Sequence, residues 1–498
     1  MPGFHVEHFG CRAARADGEA VSGRLHAAGL CERESTAADV VIVNTCSVTA
    51  EADRAARAFI RRAHRLNPAA RIVVTGCYAQ RAPEELAGLG GVAAVVGNSH
   101  KAVAPEIILE LTKGCPGVDP AHPPELVSVE SVLAGGAKAP VWVDDRFAHS
   151  FLEEAQLTPG TQTRPNLKIQ EGCGNRCTFC VIPWTRGSSK SLPAASVLRQ
   201  VEGFVSAGGN ELVLSGINLG RWGRDLPSAA AEKADGGSRF STLSARGLGK
   251  DGTRSFRGKT GTLAGLVREI LEGTGLPRLR LSSIEPMDWD AELLALMAEF
   301  GGTRLARHAH LPLQSGSDAV LRRMHRRYRP WHYAEKVAAL VRAAGPELTV
   351  GADVMVGFPG ETDCEFEETL EMVRALPFGY LHLFPFSPRP GTRGWALHAE
   401  SPVAAAVAEE RMRALRALAA EKSRAHREQF VGRELEAITL HTPAALAELG
   451  RTAALTENFL PVEVEGCLPA NLLVQVQATE LNAEGALLAV CAAPVAAA

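Results

Sequence analysis

The chain has 498 residues, of which 46% are hydrophobic and 22% charged, and its formal net charge is −3. Such a composition fits a globular protein of about two to four domains and excludes a disordered or collagen-like chain. The small net charge excludes a general attraction to nucleic acid, so any RNA contact must come from local basic surfaces.

The amino-terminal MPGFHVEHFG lacks the basic and apolar regions of a signal peptide. No run of about 18 apolar residues offers a membrane span. Both observations predict a cytoplasmic protein with no membrane association, whose 11 cysteines stay reduced. In residues 1–100, Asp39–Val43 reads as a buried parallel strand, Thr49–Arg65 as a helix and Arg71–Val74 as the next strand. Strand–helix–strand repetition implies a parallel sheet with helices on its faces. One helix is expected near Pro105–Thr112. The rest of 101–165 is rich in Pro, Gly and Ala and reads as a linker.

Six strand candidates follow: Leu167–Gln170, Glu211–Ser215, Arg278–Ser282, His308–Leu313, Thr349–Val356 and Tyr380–Phe386. With helical patterns between most of them, they predict an open or partial barrel. A Gly-, Ser-, Lys- and Arg-rich stretch at about 227–260 reads as a surface insertion. Residues 396–425 read as one Ala- and Arg-rich helix, and 430–495 as a small all-β domain.

The cysteines carry the chemistry. Cys173, Cys177 and Cys180 form C-x3-C-x2-C directly after a strand, at the edge where barrel and doubly wound folds bind ligands. Three thiolates can hold a 4Fe–4S cube and leave one iron open. The alternative is zinc, which usually needs a fourth Cys or His nearby, and none is evident. Cys11, Cys46 and Cys77 each stand just past a predicted strand and follow a small residue, Gly10, Thr45 or Gly76. Parallel strands would bring these thiols to one sheet edge as a second cluster site. Taken singly, each would read as a buried thiol. Cys31, Cys115, Cys364, Cys467 and Cys491 share no spacing and read as structural.

These motifs resemble the radical S-adenosylmethionine methylthiotransferases over nearly the whole chain. The resemblance rests on Val-Asn-Thr-Cys (43–46), Gly-Cys-Tyr-Ala-Gln (76–80) and Cys-Val-Ile-Pro-Trp-Thr-Arg-Gly (180–187). It continues through Pro-Leu-Gln-Ser-Gly-Ser-Asp (312–318), Val-Gly-Phe-Pro-Gly-Glu (356–361) and Ser-Pro-Arg-Pro-Gly-Thr (387–392). It implies an α/β fold in parts. A Rossmann-like parallel-sheet domain (1–115) would precede a linker (116–160) and a partial (β/α)6 radical SAM barrel (161–395). A connecting helix (396–428) and a TRAM-type all-β domain (429–498) that binds RNA would follow.

It also implies two [4Fe-4S] clusters, an auxiliary one on Cys11, Cys46 and Cys77 and the radical-generating one on Cys173, Cys177 and Cys180. The implied reaction cleaves S-adenosylmethionine reductively and places a methylthio group on a tRNA adenine, with no acid–base dyad. The implied partners are tRNA and an electron donor of flavodoxin or ferredoxin type, with the protein a monomer.

The family has at least three substrate branches: isopentenyladenosine in tRNA, N6-threonylcarbamoyladenosine in tRNA, and an aspartate of a ribosomal protein. Gly-Cys-Tyr-Ala-Gln, Ser-Gly-Ile-Asn-Leu-Gly (215–220) and His-Leu-Phe-Pro-Phe-Ser (382–387) look most like the threonylcarbamoyl branch. A reading from another class is a zinc-stapled RNA-binding protein without catalysis.

Further residues are singled out. Gly216, at a strand end, is a candidate contact for the S-adenosylmethionine amino group, or a plain strand-to-loop glycine. His308 and His310 face one side of a strand, as a core or rim pair or toward substrate. Arg54, Arg57, Arg61, Arg62 and Arg65, and Arg322, Arg323, Arg326, Arg327 and Arg329, are either solvated faces or phosphate contacts. Phe179 and Trp184 flank Cys180 and would shield a cluster or pack beneath it.

Overall fold

A computed structural model describes residues 2–47, 49–112, 138–147, 152, 163–227 and 261–492. The insertion expected at 227–260 therefore lies, except for its first residue, outside the described residues.

Six parallel strands form the amino-terminal sheet: β1 (Gly3–His8), β2 (Cys31–Glu32), β3 (Val40–Thr45), β4 (Arg71–Gly76), β5 (Val92–Gly97) and β6 (Val141–Trp142), in the order β2-β1-β3-β4-β5-β6. The unbroken apolar run of β3 is buried throughout because helices cover both faces of the sheet. Val41, Val43, Ile72, Val74 and Val95 pack on one side. Val40, Ile42, Val73, Ala94 and Val96 pack on the other. The helix Ala50–Leu66 begins where its sequence says it should, with Thr49 Oγ1 accepting from Ala52 N at 3.2 Å. The segment read as plain linker supplies β6, whose two residues are too few to show a strand pattern.

The central region carries β7 (Asn166–Glu171), β8 (Lys190–Ser191), β9 (Glu211–Gly216), β10 (Arg278–Leu281), β11 (His308–His310), β12 (Thr349–Val356) and β13 (Phe378–Pro385). Strands β7, β9 and β10 are parallel neighbours, as are β11, β12 and β13. Parallel bridges at Leu279–Leu305 and Ser283–His310 join the two groups. The result is an open barrel of six parallel strands with helices outside. Val350, Ala352, Val354 and Val356 belong to its outer core, whereas Gly351 and Asp353 alternate inward.

One helix was expected over 396–425. Two are present, Arg393–Glu400 and Ala405–Glu428. Ser401 and Pro402 interrupt the pattern, because proline disfavours helix in the residue before it. The chain then closes a five-stranded barrel from β14 (Glu434–Thr439), β15 (Arg451–Thr456), β16 (Pro461–Glu465), β17 (Leu473–Leu481) and β18 (Leu487–Cys491).

The two flanking units cover opposite ends of the central barrel. The small barrel meets the strands' amino ends: Arg280 Nη2 donates to Thr456 O at 3.1 Å, Arg307 Nε to Glu457 Oε1 at 2.7 Å and Asn458 Nδ2 to Glu347 O at 3.0 Å. The amino-terminal sheet meets their carboxyl ends: Asn98 Nδ2 donates to Thr185 O at 2.8 Å and Arg389 Nη1 to Asp53 Oδ2 at 2.6 Å.

Candidate active site

The carboxyl edges of two sheets thus face each other, and each carries three cysteines. In the amino-terminal sheet, His8 pairs with Asn44 and Thr45 with Gly76. Cys46 and Cys77 each follow their paired residue directly, and Cys11 lies three residues past His8. Neighbouring strands lie about 4.8 Å apart, so register brings the three thiols to one edge, and Cys11 and Cys46 are within hydrogen-bonding reach.

Close approach depends on glycine. Gly10 and Gly76 have φ of +105° and +99°. A Cβ on Gly10 would meet Cys46 Sγ at 2.4 Å, and one on Gly76 would meet Thr45 O at 2.3 Å.

Cys173, Cys177 and Cys180 lie in the loop after β7. Gly172 (φ +71°) packs so tightly that a Cβ there would meet Ser188 O at 1.9 Å. Each of two thiols is held by a donor from another segment: Asn218 Nδ2 reaches Cys173 Sγ at 3.5 Å and Arg326 Nη1 reaches Cys177 Sγ at 3.3 Å. Gly216 ends β9 opposite Gln170, and Asn218 N donates to Gln170 Oε1 at 2.7 Å, so this strand end adjoins Cys173. A pocket opens beside Cys177, where Glu285 pairs with Arg326 at 2.8 Å and Asp288 with Arg221 at 3.5 Å.

The two edges are joined through Arg186, which follows Cys180 by one helical turn (Ile182–Arg186). Its Nε donates to Cys77 Sγ at 3.2 Å, and its Nη1 to Asp17 Oδ2 at 2.8 Å and Glu171 Oε1 at 2.6 Å. Lys168 Nζ donates to Glu171 Oε2 at 3.0 Å and also pairs with Asp17, while Lys101 pairs with Glu171. Burial alone would raise the carboxyls of Asp17 and Glu171, but Lys101, Lys168 and Arg186 outweigh it and hold both well below the usual range.

The two thiol sets differ electrostatically. The hydrogen bond with Cys46, helped by the Arg186 charge, draws Cys11 down to about 5. Burial pushes Cys180 up to about 12 and raises Cys173.

Both sets fit a cube. The donors are all thiols, the loops approach through glycines, and hydrogen-bond donors are aimed at the sulfurs. The candidate single-ion group among the described residues, with ligand atoms within 4.8 Å of one another, is His310, Asp353 and His382.

Other predicted residues fall as follows. His308 and His310 are buried and face the barrel interior, with His308 Nε2 2.7 Å from Tyr380 Oη and the rings of His308 and Phe459 4.3 Å apart. Phe179 packs against the central core, whereas Trp184 is exposed. Arg326 is buried, Arg322, Arg323 and Arg329 are paired with acids, and Arg322 and Arg327 are the exposed members of that run. On the first run, Arg54, Arg61, Arg62 and Arg65 are exposed, and Arg57 donates to Glu85 at 3.0 Å. Cys31, Cys364 and Cys467 are exposed, Cys491 is half-buried and Cys115 lies outside the described residues. Asp17, Lys101, Lys168 and Glu171 had no sequence signal, since four separate segments supply the charge cluster they form with Arg186.

The model of uncharacterized protein family UPF0004 matches residues 3–97, and that of the radical SAM superfamily matches residues 167–373. The chain is 34% identical to a threonylcarbamoyladenosine tRNA methylthiotransferase of Bacillus subtilis, over 93% of this chain and 90% of the relative. It is 33% identical to the enzyme of the same name from Aquifex aeolicus, over 88% and 90%. It is also 33% identical to a tRNA-2-methylthio-N(6)-dimethylallyladenosine synthase of Cereibacter sphaeroides, over 86% and 85%. The solved radical S-adenosylmethionine methyltransferase TsrM of Kitasatospora setae shares the fold, with a TM-score of 0.54 at 15% identity over 80% of this chain and 78% of that one. Among the described residues no helix is long and apolar enough to cross a membrane. The chain belongs to the radical S-adenosylmethionine tRNA methylthiotransferases, transferases that use S-adenosylmethionine and a 4Fe–4S cluster.

Proposed function

We propose that the protein installs a 2-methylthio group on N6-threonylcarbamoyladenosine next to the tRNA anticodon, using two [4Fe-4S] clusters. The observation that carries this reading is the pair of cysteine triads on facing strand edges. Cys173, Cys177 and Cys180 would hold the radical-generating cluster, and Cys11, Cys46 and Cys77 the auxiliary one. When bound, the clusters and S-adenosylmethionine supply the radical chemistry and the sulfur.

The chain's own share is positioning. Asn218 and Arg326 fix Cys173 and Cys177, and Arg186 ties the auxiliary edge to the radical loop. Gly216 leaves room for the S-adenosylmethionine amino group beside Gln170. Charged Glu285, Asp288, Arg221 and Arg326 complement the amino and carboxylate groups of its methionine moiety. The carboxy-terminal barrel would contact RNA, a flavodoxin- or ferredoxin-type protein would supply electrons, and the enzyme would work as a cytoplasmic monomer.

The substrate branch is supported by the barrel lining. His310, Asp353, Tyr380 and His382 face inward and suit a polar N6 group that bears hydroxyl and carboxylate better than an apolar dimethylallyl group. The test is nucleoside mass spectrometry after reaction of the reconstituted enzyme with tRNA carrying either adenosine. Methylthiolation of the threonylcarbamoyl form alone is expected, and modification of the isopentenyl form alone would contradict the substrate assignment.

A further inference from the structure

Inside the barrel three side chains converge from adjacent strands. Asp353 on β12 is in register with His382 on β13, and His310 on β11 is in register with Gly351. Gly351 leaves the space that Tyr380 fills, since a Cβ there would meet the Tyr380 ring at 2.1 Å. His310 Nε2 and His382 Nδ1 each lie 3.3 Å from the same oxygen, Asp353 Oδ1. Zinc bonds to imidazole nitrogen and carboxylate oxygen are about 2.0–2.2 Å, and two such bonds at a tetrahedral angle hold their ligand atoms about 3.3–3.6 Å apart. Both distances to Asp353 Oδ1 match that edge length, and all three ligand atoms lie within 4.8 Å of one another.

A second observation points to an ion. His310 is buried, and among the described residues neither of its ring nitrogens is aligned for a hydrogen bond, although Asp353 Oδ1 is near. The Nε2–Asp353 Oδ1 contact is thus a poorly aligned ion pair at 3.3 Å, and a cation between the three ligand atoms would bind the lone pair of that buried nitrogen directly.

We propose that His310, Asp353 and His382 form a mononuclear site for one divalent cation of the zinc type. Two imidazoles and one carboxylate are a zinc-competent set that leaves a position open. His382 is exposed on the lumen side, so the open position faces the space where substrate would enter, and it would take an oxygen ligand such as a carboxylate. The His308–Tyr380 hydrogen bond holds the aromatic wall behind the ligands. The site goes beyond the proposed methylthiolation, which does not require it.

The test uses the full-length protein with its clusters already loaded, so that the cysteines are occupied. It is incubated with zinc chloride and desalted, and zinc and iron are counted together. About one zinc per chain is expected with iron unchanged. His382→Ala, which removes an exposed ligand, and Asp353→Asn should each lower zinc retention at least tenfold while iron and cluster absorbance stay the same. No zinc retained by the parent, retention by both variants equal to the parent's, or zinc gained only as iron is lost would overturn the proposal.

Discussion

The two cysteine sets converge by opposite routes. Cys173, Cys177 and Cys180 share one loop, so their convergence is a property of local sequence. Cys11, Cys46 and Cys77 follow three strands, and only the register of β1, β3 and β4 brings them together. Each set has a guanidinium against one thiol, Arg186 at Cys77 and Arg326 at Cys177, but Cys11 is drawn down whereas burial pushes Cys180 up. A compact motif tolerates changes elsewhere in the fold, whereas a dispersed one depends on every contact that fixes the sheets.

The sharpest way to break this contrast is Arg186→Met. It removes the cation that Asp17 and Glu171 share and leaves their buried carboxylates with Lys101 and Lys168 alone. Loss of one partner of a buried ion pair costs about 3–5 kcal/mol. Denaturant unfolding should show a stability loss of that size, with the auxiliary cluster lost before the radical one.

Gly10→Ala and Gly172→Ala separate the sets at smaller cost. Each puts a Cβ on a left-handed backbone that is already in contact, at Cys46 or at Ser188, for about 1–3 kcal/mol. Iron analysis should show that Gly10→Ala loses iron from the dispersed set and Gly172→Ala from the compact one.

The mildest probe is alkylation of cluster-free protein at about pH 6.5. Cys11, drawn down to about 5, is thiolate there, whereas Cys180, pushed up to about 12, is thiol. Peptide mapping after brief iodoacetamide treatment should find Cys11 labelled well ahead of Cys180, with the difference narrowing as pH rises.

These differences also explain what could be read in advance. The buried run Val40–Val43, the barrel strands and the Cys173, Cys177, Cys180 spacing carry their signals locally, as apolar runs, periodicity or spacing. Strand β6 escaped because two residues carry no period. The break at Ser401–Pro402 was hidden by Ala-rich sequence on either side. The Arg186 charge cluster and the His310, Asp353 and His382 group draw single residues from distant segments, and only the assembled sheets place them in contact.

The central claim is that the chain holds two independent clusters, one on each edge. Anaerobic reconstitution followed by iron and sulfide counting tests it, with the parent beside a Cys11, Cys46, Cys77 triple alanine variant and the matching Cys173, Cys177, Cys180 variant. About eight irons are expected in the parent and about four in each variant, with S-adenosylmethionine cleavage kept only where Cys173, Cys177 and Cys180 remain. About four irons in the parent and none in the second variant would contradict it.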